Sequence, residues 1–201
     1  MGAPGYPAVC MHGEIWLIRH GETEWSLSGA HTSRTDIPLT EHGLEMARGT
    51  GRYLAGRKFA LVLTSPLQRA RMTCIEAGFG DAAVIDPDLC ELDYGDYEGR
   101  TTSEIQAARP GWSLWRDGCP NGETFEHAAE RARAVIERAL AADGDVALFA
   151  HGHILRILTA VWLGLAPDAA RLLALSTASV SMLGHERETR VIARWNLTVS
   201  A

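Results

Sequence analysis

Four separate stretches of this chain lead into residues able to handle a charged, transferable group. Arg19, His20 and Thr23 close or follow the apolar run at 14–19, and Ser65 and Arg69 follow the run at 59–63. Glu91 follows the run at 83–85, and His151, His153 and Arg156 follow the run at 146–150. Arginine presents a planar fork of donors that matches phosphate oxygens, and it stays charged at any relevant pH. A neutral histidine can act as a nucleophile. Cationic neighbours such as Arg19, Arg69 and His151 would lower the His20 pKa from about 6.5 and keep its ring neutral near pH 7. The one carboxylate, Glu91, could protonate a leaving oxygen if its pKa is raised. Such a set suits phosphoryl transfer, which needs positioning and charge stabilisation more than covalent help.

For these residues to meet, the runs that carry them must be neighbouring strands. The run at 14–19 is short and apolar, as a buried parallel strand is; those at 59–63, 83–85 and 146–150 read as further strands, and those at 180–183 and 191–195 as two closing ones. Helical spacing occupies 40–57, with Thr40 as N-cap, and again 66–77, 124–142 and 154–163. The alternation predicts an α/β protein with three layers: a mainly parallel sheet flanked by helices. Open sheets of this kind bind ligands beyond the carboxyl ends of their strands. Helices starting near Pro66 and Ile154 would add backbone N–H donors for an anion. The stretch around 95–122 reads as an irregular lid or insert, and long loops of that kind tend to be functional. Residues 1–13, with two prolines and two glycines among the first seven, read as a mobile leader before one domain at 14–201.

Composition narrows the partners. A hydrophobic content of 46% with 22% charged residues is ordinary for a soluble domain, and no apolar run approaches the roughly 20 residues of a membrane span. A net charge of −6 gives no general attraction for nucleic acid or an anionic membrane, so an anionic substrate must be drawn in by a local basic cluster. The four cysteines lack metal-ligand spacing and read as reduced thiols, which makes the cytoplasm the default location. His151 and His153 could share one face as a metal pair. No third ligand sits beside them, and neither a metal nor another cofactor is expected. Glu22 and Asp36 read equally as buried structural carboxylates or substrate contacts, and Trp112 and Trp115 equally as lid packing or sugar-stacking platforms. The Glu/Arg pattern of 126–138 reads as a solvated helix face with i,i+4 pairs.

Arg19-His20-Gly21-Glu22-Thr23 resembles the signature of the histidine phosphatase superfamily, which includes the cofactor-dependent phosphoglycerate mutases. Asp36-Ile-Pro-Leu-Thr40, Thr64-Ser-Pro-Leu-Gln-Arg69-Ala, Glu91-Leu-Asp-Tyr-Gly95-Asp-Tyr-Glu-Gly99 and His151-Gly152-His153 follow in the family's order. The resemblance implies that His20 is the phosphorylated histidine, that Arg19, Arg69 and His151 form the phosphate pocket, and that Glu91 donates the proton. Ser26 and Thr32 stand where many members carry asparagine and glutamine, and Thr23 belongs to the signature itself. The glycolytic mutases resemble Glu-Arg-His-Tyr-Gly after the acid and carry a long insertion; this chain has Glu91-Leu92-Asp93-Tyr94-Gly95 and no such insertion. Trp25-Ser-Leu-Ser-Gly29 and the stretch at 115–124 look similar to sugar-bisphosphate phosphatases of the fungal sedoheptulose-1,7-bisphosphatase type and to mycobacterial acid phosphatases. In that type the equivalents of Ser65, Tyr94 and Arg156 face the substrate. The implied activity is hydrolysis of small phosphate esters, sugar phosphates among them, through a phosphohistidine. A cofactor-dependent phosphoglycerate mutase is the alternative, and homodimers are common in the family.

Overall fold

In the computed structural model, which describes residues 13–199, the strands are β1 (Ile15–Arg19), β2 (Leu61–Thr64), β3 (Ala83–Ile85), β4 (Val146–Ala150), β5 (Val180–Glu186) and β6 (Thr189–Leu197). They form a mixed sheet in the order β3-β2-β4-β1-β5-β6. The pairings β1–β4, β2–β4 and β2–β3 are parallel, whereas β5 runs antiparallel to β1 and to β6. The leader expected at 1–13 lies outside the described residues except for Gly13, whose backbone packs against Gly144.

The central strands β1 and β4 are apolar on both sides because both faces of the sheet are covered there, whereas the edge strands β3 and β6 are largely exposed. Ile15 and Leu17 of β1, with Val146 and Leu148 of β4, face a cluster built from α6 (Phe125–Leu140) and α7 (Gly152–Trp162). Trp16, Ile18 and Phe149 point the other way, where Leu54 ends α2 (Glu41–Leu54) and Cys74 comes from α3 (Gln68–Glu76). That alternation is the period of two expected of a strand, and it makes the expected three layers. Each fully buried Leu, Ile or Phe in these clusters contributes about 1.5–3 kcal/mol by leaving water.

The stretch at 95–122 departs from the irregular lid expected of it. It holds two short helices, α4 (Thr102–Ala108) and α5 (Leu114–Asp117), and its Tyr97, Ile105, Trp112 and Leu114 join the main core. Thr101 and Glu104 form a capping box on α4, a signature present in the sequence. The helix ends after seven residues at Arg109-Pro110, too soon to show an apolar stripe. A further short helix, α1 (Glu24–Ser28), follows directly after the Arg19–Thr23 signature.

Strand pairing aims the polar residues at one place. The register Arg19↔Ala150 puts the end of β1 beside the end of β4. His20 N–H donates to Ala150 O at 2.9 Å, and Ser65 N–H donates to Phe149 O at 2.9 Å. The loop after β1 is then pinned to the start of α2. Thr40, the N-cap, accepts from Gly43 N–H and donates to a Glu22 carboxylate oxygen at 2.8 Å. Glu22 is therefore structural, with the Thr40 hydroxyl as its partner. Close approach here requires glycine: a Cβ on Gly21 would lie 2.4 Å from Gly43 O, and one on Gly43 would lie 2.2 Å from Glu22 O. Gly43→Ala should accordingly lower stability by about 1–3 kcal/mol through overpacking, read as a lower urea midpoint; an unchanged midpoint would mean that this contact is loose.

Candidate active site

At the carboxyl ends of β1 and β4 lies a cavity of about 190 Å³, lined by Arg19, His20, Thr23, Ser26, Thr32, Glu91, Tyr94 and Arg156 among others. Eight of the eleven residues expected at the site therefore share one wall. Arg69, His151 and Ser65 stand behind it, fully buried.

His20 is buried, and its Nδ1 lies 2.7 Å from the carbonyl of Gly21. A carbonyl can only accept, so Nδ1 carries the proton and Nε2 keeps a lone pair. Burial is the main reason that the His20 pKa falls to about 3, with Arg19 and Arg69 pushing in the same direction. The expected lowering is present, but its leading cause is desolvation, and His151 is not among its sources.

Arg69 holds a structure together around this ring. Its guanidinium donates to the carbonyls of Thr32 (3.2 Å), Ser33 (3.1 Å) and Thr35 (3.1 Å), and its Nε–H donates to His151 Nδ1 at 3.2 Å. Four of its five N–H groups are thus committed within the protein. Because arginine only donates, His151 must carry its proton on Nε2, which lies 2.7 Å from Ser65 Oγ. Burial first, then Arg69 and His20, push the His151 pKa well below 6.5, so this ring too is neutral. Arg19 is placed differently: its Nε–H is buried with no partner among the described residues, and its side chain lines the cavity.

Glu91 departs from expectation. Burial raises its carboxyl pKa, but the His153 side chain and the His153 amide outweigh burial and hold it well below the ordinary 4.5. The geometry explains this. One oxygen accepts from Leu92 N–H at 2.9 Å and Ile154 N–H at 2.9 Å, and both lie within 3.1 Å of His153 N. Glu91 occupies the amino terminus of α7, whose N-cap residue, His151, makes no capping bond of its own. Backbone donors and the helix dipole stabilise the ionised form there.

The remaining residues divide between the cavity and the scaffold. Thr23 and Ser26 spend their hydroxyls on each other's backbone as the capping box of α1, and Thr32 Oγ1 donates to Ala30 O. The Tyr94 hydroxyl lies 2.7 Å from His153 Nδ1. Arg156 donates through Nε to Ala170 O and lies 4.6 Å over the Trp115 ring. Trp112 is core packing, its indole N–H given to Gly118 O. Asp36 is structural, accepting from Gln68 N–H at the start of α3. His151 and His153 do not converge as a metal pair: one ring binds Arg69 and Ser65, the other Tyr94. Among the described residues no three His, Cys, Asp or Glu side chains gather as a metal site would need.

Seven further residues line the cavity that the sequence does not single out for binding, among them the aromatic Trp25, His31 and His153. Trp25 and His31 follow the signature closely, and that proximity was the available signal. His31 packs on Tyr94 at 4.8 Å between ring centres, and its Nε2 is buried without a partner among the described residues.

A buried neutral histidine has a thermodynamic signature. The His20 pKa is near 6.5 when unfolded and about 3 when folded. Its contribution to stability is therefore full above pH 6.5 and is lost progressively as the pH falls toward 3. His20→Ala should lose less stability between pH 7 and pH 4.5 than the wild type, measured by urea denaturation at both pH values. Equal losses would place the ring in contact with solvent.

The sequence profile of the histidine phosphatase superfamily (branch 1) matches residues 15–198. The chain is 38% identical to sedoheptulose 1,7-bisphosphatase of Saccharomyces cerevisiae, over 74% of this chain and 67% of that one. It is 36% identical to an acid phosphatase of Mycobacterium tuberculosis, over 92% of each. The solved structure of a Mycobacterium tuberculosis open reading frame superposes with a TM-score of 0.87 at 35% identity, covering 92% of this chain and 98% of that one. No helix among the described residues is long and apolar enough to cross a membrane. The profile takes in every segment that reaches the cavity, and the chain belongs to the histidine phosphatase superfamily as one of its phosphatases.

Proposed function

We propose that the cavity hydrolyses small phosphate esters, sugar phosphates above all, with His20 as nucleophile and Glu91 as proton donor. One observation carries this reading: the neutral His20 ring, with its Nε2 lone pair free, lines the same cavity as Arg19, whose buried Nε–H lacks a partner. A phosphate would supply that partner and place phosphorus beside the lone pair. In the first step His20 Nε2 bonds to phosphorus, and the ester P–O bond breaks with its electron pair left on the leaving oxygen. Glu91 gives that oxygen a proton. Water then attacks the phosphohistidine, returns a proton to Glu91 and frees inorganic phosphate and His20. Arg19 neutralises the phosphate directly, while Arg69 acts through its charge and by fixing the His151 proton on Nε2.

Since Glu91 meets the substrate ionised, the proton must come with the ester. A phosphate monoester has a second pKa near 6, and its monoanion brings the proton needed, while its charge raises the carboxyl pKa once bound. Ser65, Thr23, Ser26, Thr32, Tyr94 and Arg156 complete the reading as residues that shape or line the site. The names of the yeast and mycobacterial relatives support the substrate class. The reading further takes residues 14–201 as one catalytic domain in the cytoplasm, without nucleic-acid partners, and it leaves room for a homodimer. The net charge of −6 supports the reading without nucleic-acid partners.

The decisive assay offers sugar phosphates, and 3-phosphoglycerate with and without 2,3-bisphosphoglycerate, while free phosphate and isomer are both measured. Free phosphate in step with ester loss, independent of the bisphosphate, is expected; isomer without net phosphate would make the protein a mutase. His20→Ala should retain less than about a tenth of the wild-type rate, a loss above 1.4 kcal/mol in transition-state binding. Glu91→Gln should lower kcat/KM for a sugar phosphate by about 10²–10⁴, and by visibly less for p-nitrophenyl phosphate, whose leaving group departs unprotonated. Initial-rate kcat/KM should hold down to about pH 4 and fall near pH 3 as His20 takes up a proton. Its alkaline limb should move with the second phosphate pKa of the ester used. A limb fixed at one pH for all esters would assign it to the protein.

A further inference from the structure

Glu91 sits in a loop without regular structure, yet proton delivery needs its carboxyl held to within a fraction of an ångström. The loop on both sides of it is gripped by one largely buried ion pair. Arg131 of α6 is 13% exposed and Glu123, in the loop before α6, is 8% exposed; Arg131 NH2 lies 2.7 Å from one Glu123 oxygen and Nε lies 2.8 Å from the other. The remaining fork nitrogen, NH1, donates to the carbonyls of Asp88 (2.6 Å) and Cys90 (2.9 Å), the latter bonded directly to Glu91. On the other side, Glu123 N–H donates to Asp93 O at 2.9 Å, and Asp93 N lies 3.4 Å from Glu123 Oε2. Gly122 lets these segments approach, since a Cβ there would lie 2.5 Å from Asp93 O. A second arginine of the same helix, Arg138, reaches Asp86 and Asp88 at 2.9 and 2.6 Å. Arg131 and Arg138 therefore make one edge of α6 a clamp, while Glu126, Glu130, Arg133 and Glu137 stay exposed as the solvated face that the sequence suggests.

Stability alone accounts poorly for the pair. A buried ion pair adds little over apolar residues of the same volume, because both charges must leave water. What it supplies is direction: a rigid fork joins a carboxylate to two carbonyls in one plane. The same pair also lines a second cavity, of about 520 Å³, that shares Glu91 with the catalytic one. The loop has open space beside it into which Glu91 could shift if released.

We infer that Arg131 and Glu123 are positioning residues for the reaction, fixing the Glu91 carboxyl where it can reach the leaving oxygen. Neither touches substrate. The inference rests on Glu91 being the proton donor, so the test includes Glu91→Gln as a reference. Arg131→Met, Arg131→Lys and Glu123→Gln would each be assayed on a sugar phosphate and on p-nitrophenyl phosphate, with thermal unfolding measured alongside. Arg131→Met should lose about tenfold to hundredfold in kcat/KM on the sugar phosphate and less than about threefold on the nitrophenyl ester. Arg131→Lys keeps the charge but lacks the fork; it should fold and show the same selective loss in smaller degree, so it decides the matter if the methionine variant unfolds. In a Glu91→Gln background, either Arg131 variant should cause no further selective loss, because the pathway it acts through is already gone. Equal losses on the two substrates from the Arg131 variants, with Glu91→Gln still selective, would overturn the positioning role and leave the acid assignment standing. A non-selective Glu91→Gln would remove the acid assignment and this inference together.

Discussion

The hydrogen bond from His20 Nδ1–H to the Gly21 carbonyl, 2.7 Å long, decides which nitrogen of the ring is available. Without it a buried imidazole could turn over or exchange tautomers, and the lone pair would face the cavity only part of the time. The surrounding structure acts to hold that carbonyl. Gly21 N–H donates to Thr73 Oγ1 at 2.9 Å, and Thr73 Oγ1 donates to Arg69 O at 2.7 Å, which ties the loop after β1 to α3. The contact between Gly21 and Gly43 ties the same loop to α2. Ala178 N–H closes the remaining side by donating to His20 O at 3.0 Å.

Around this ring the protein gathers positive charge that would be unfavourable without specific partners. A buried guanidinium is tolerated only when its donors are satisfied, and Arg69 meets that condition with three carbonyls and the His151 ring. Two buried neutral imidazoles, an arginine that is satisfied and another with a spare donor leave one kind of visitor favoured: an anion with several acceptor oxygens. The ionised Glu91 balances the cluster while the site is free, and the amino terminus of α7 balances Glu91. Arrival of a phosphate would upset that balance in the direction that chemistry needs, by favouring a proton on the carboxyl.

Much of this was legible in the sequence, and the reason is geometric. β1 and β4 are buried on both faces, so they read as short apolar runs, and the residues after them had to share one end of the sheet. His20, Arg19 and His151 could be placed together on that ground alone. What stayed hidden depends on partners distant in the chain. The ionised state of Glu91 is set by amides of His153 and Ile154, which no local pattern announces. Arg131 looks like any arginine on a helix until Glu123 and two carbonyls near Asp88 are found around it. Thr23 and Ser26 look like substrate hydroxyls, but the short α1 behind the signature uses them as its cap. The α4 helix was missed since seven residues are too few to establish a period, despite its capping box.

The account as a whole turns on a phosphoryl group bonded to one nitrogen of one histidine. Rapid quenching of turnover in alkali, with an isotopically labelled phosphate ester, followed by peptide mapping and phosphorus NMR, tests this most directly. The geometry predicts a transient, acid-labile label on His20, attached at Nε2, because Nδ1 is committed to Gly21. Label on any other residue, attachment at Nδ1, or steady turnover with no labelled protein at any time would contradict it.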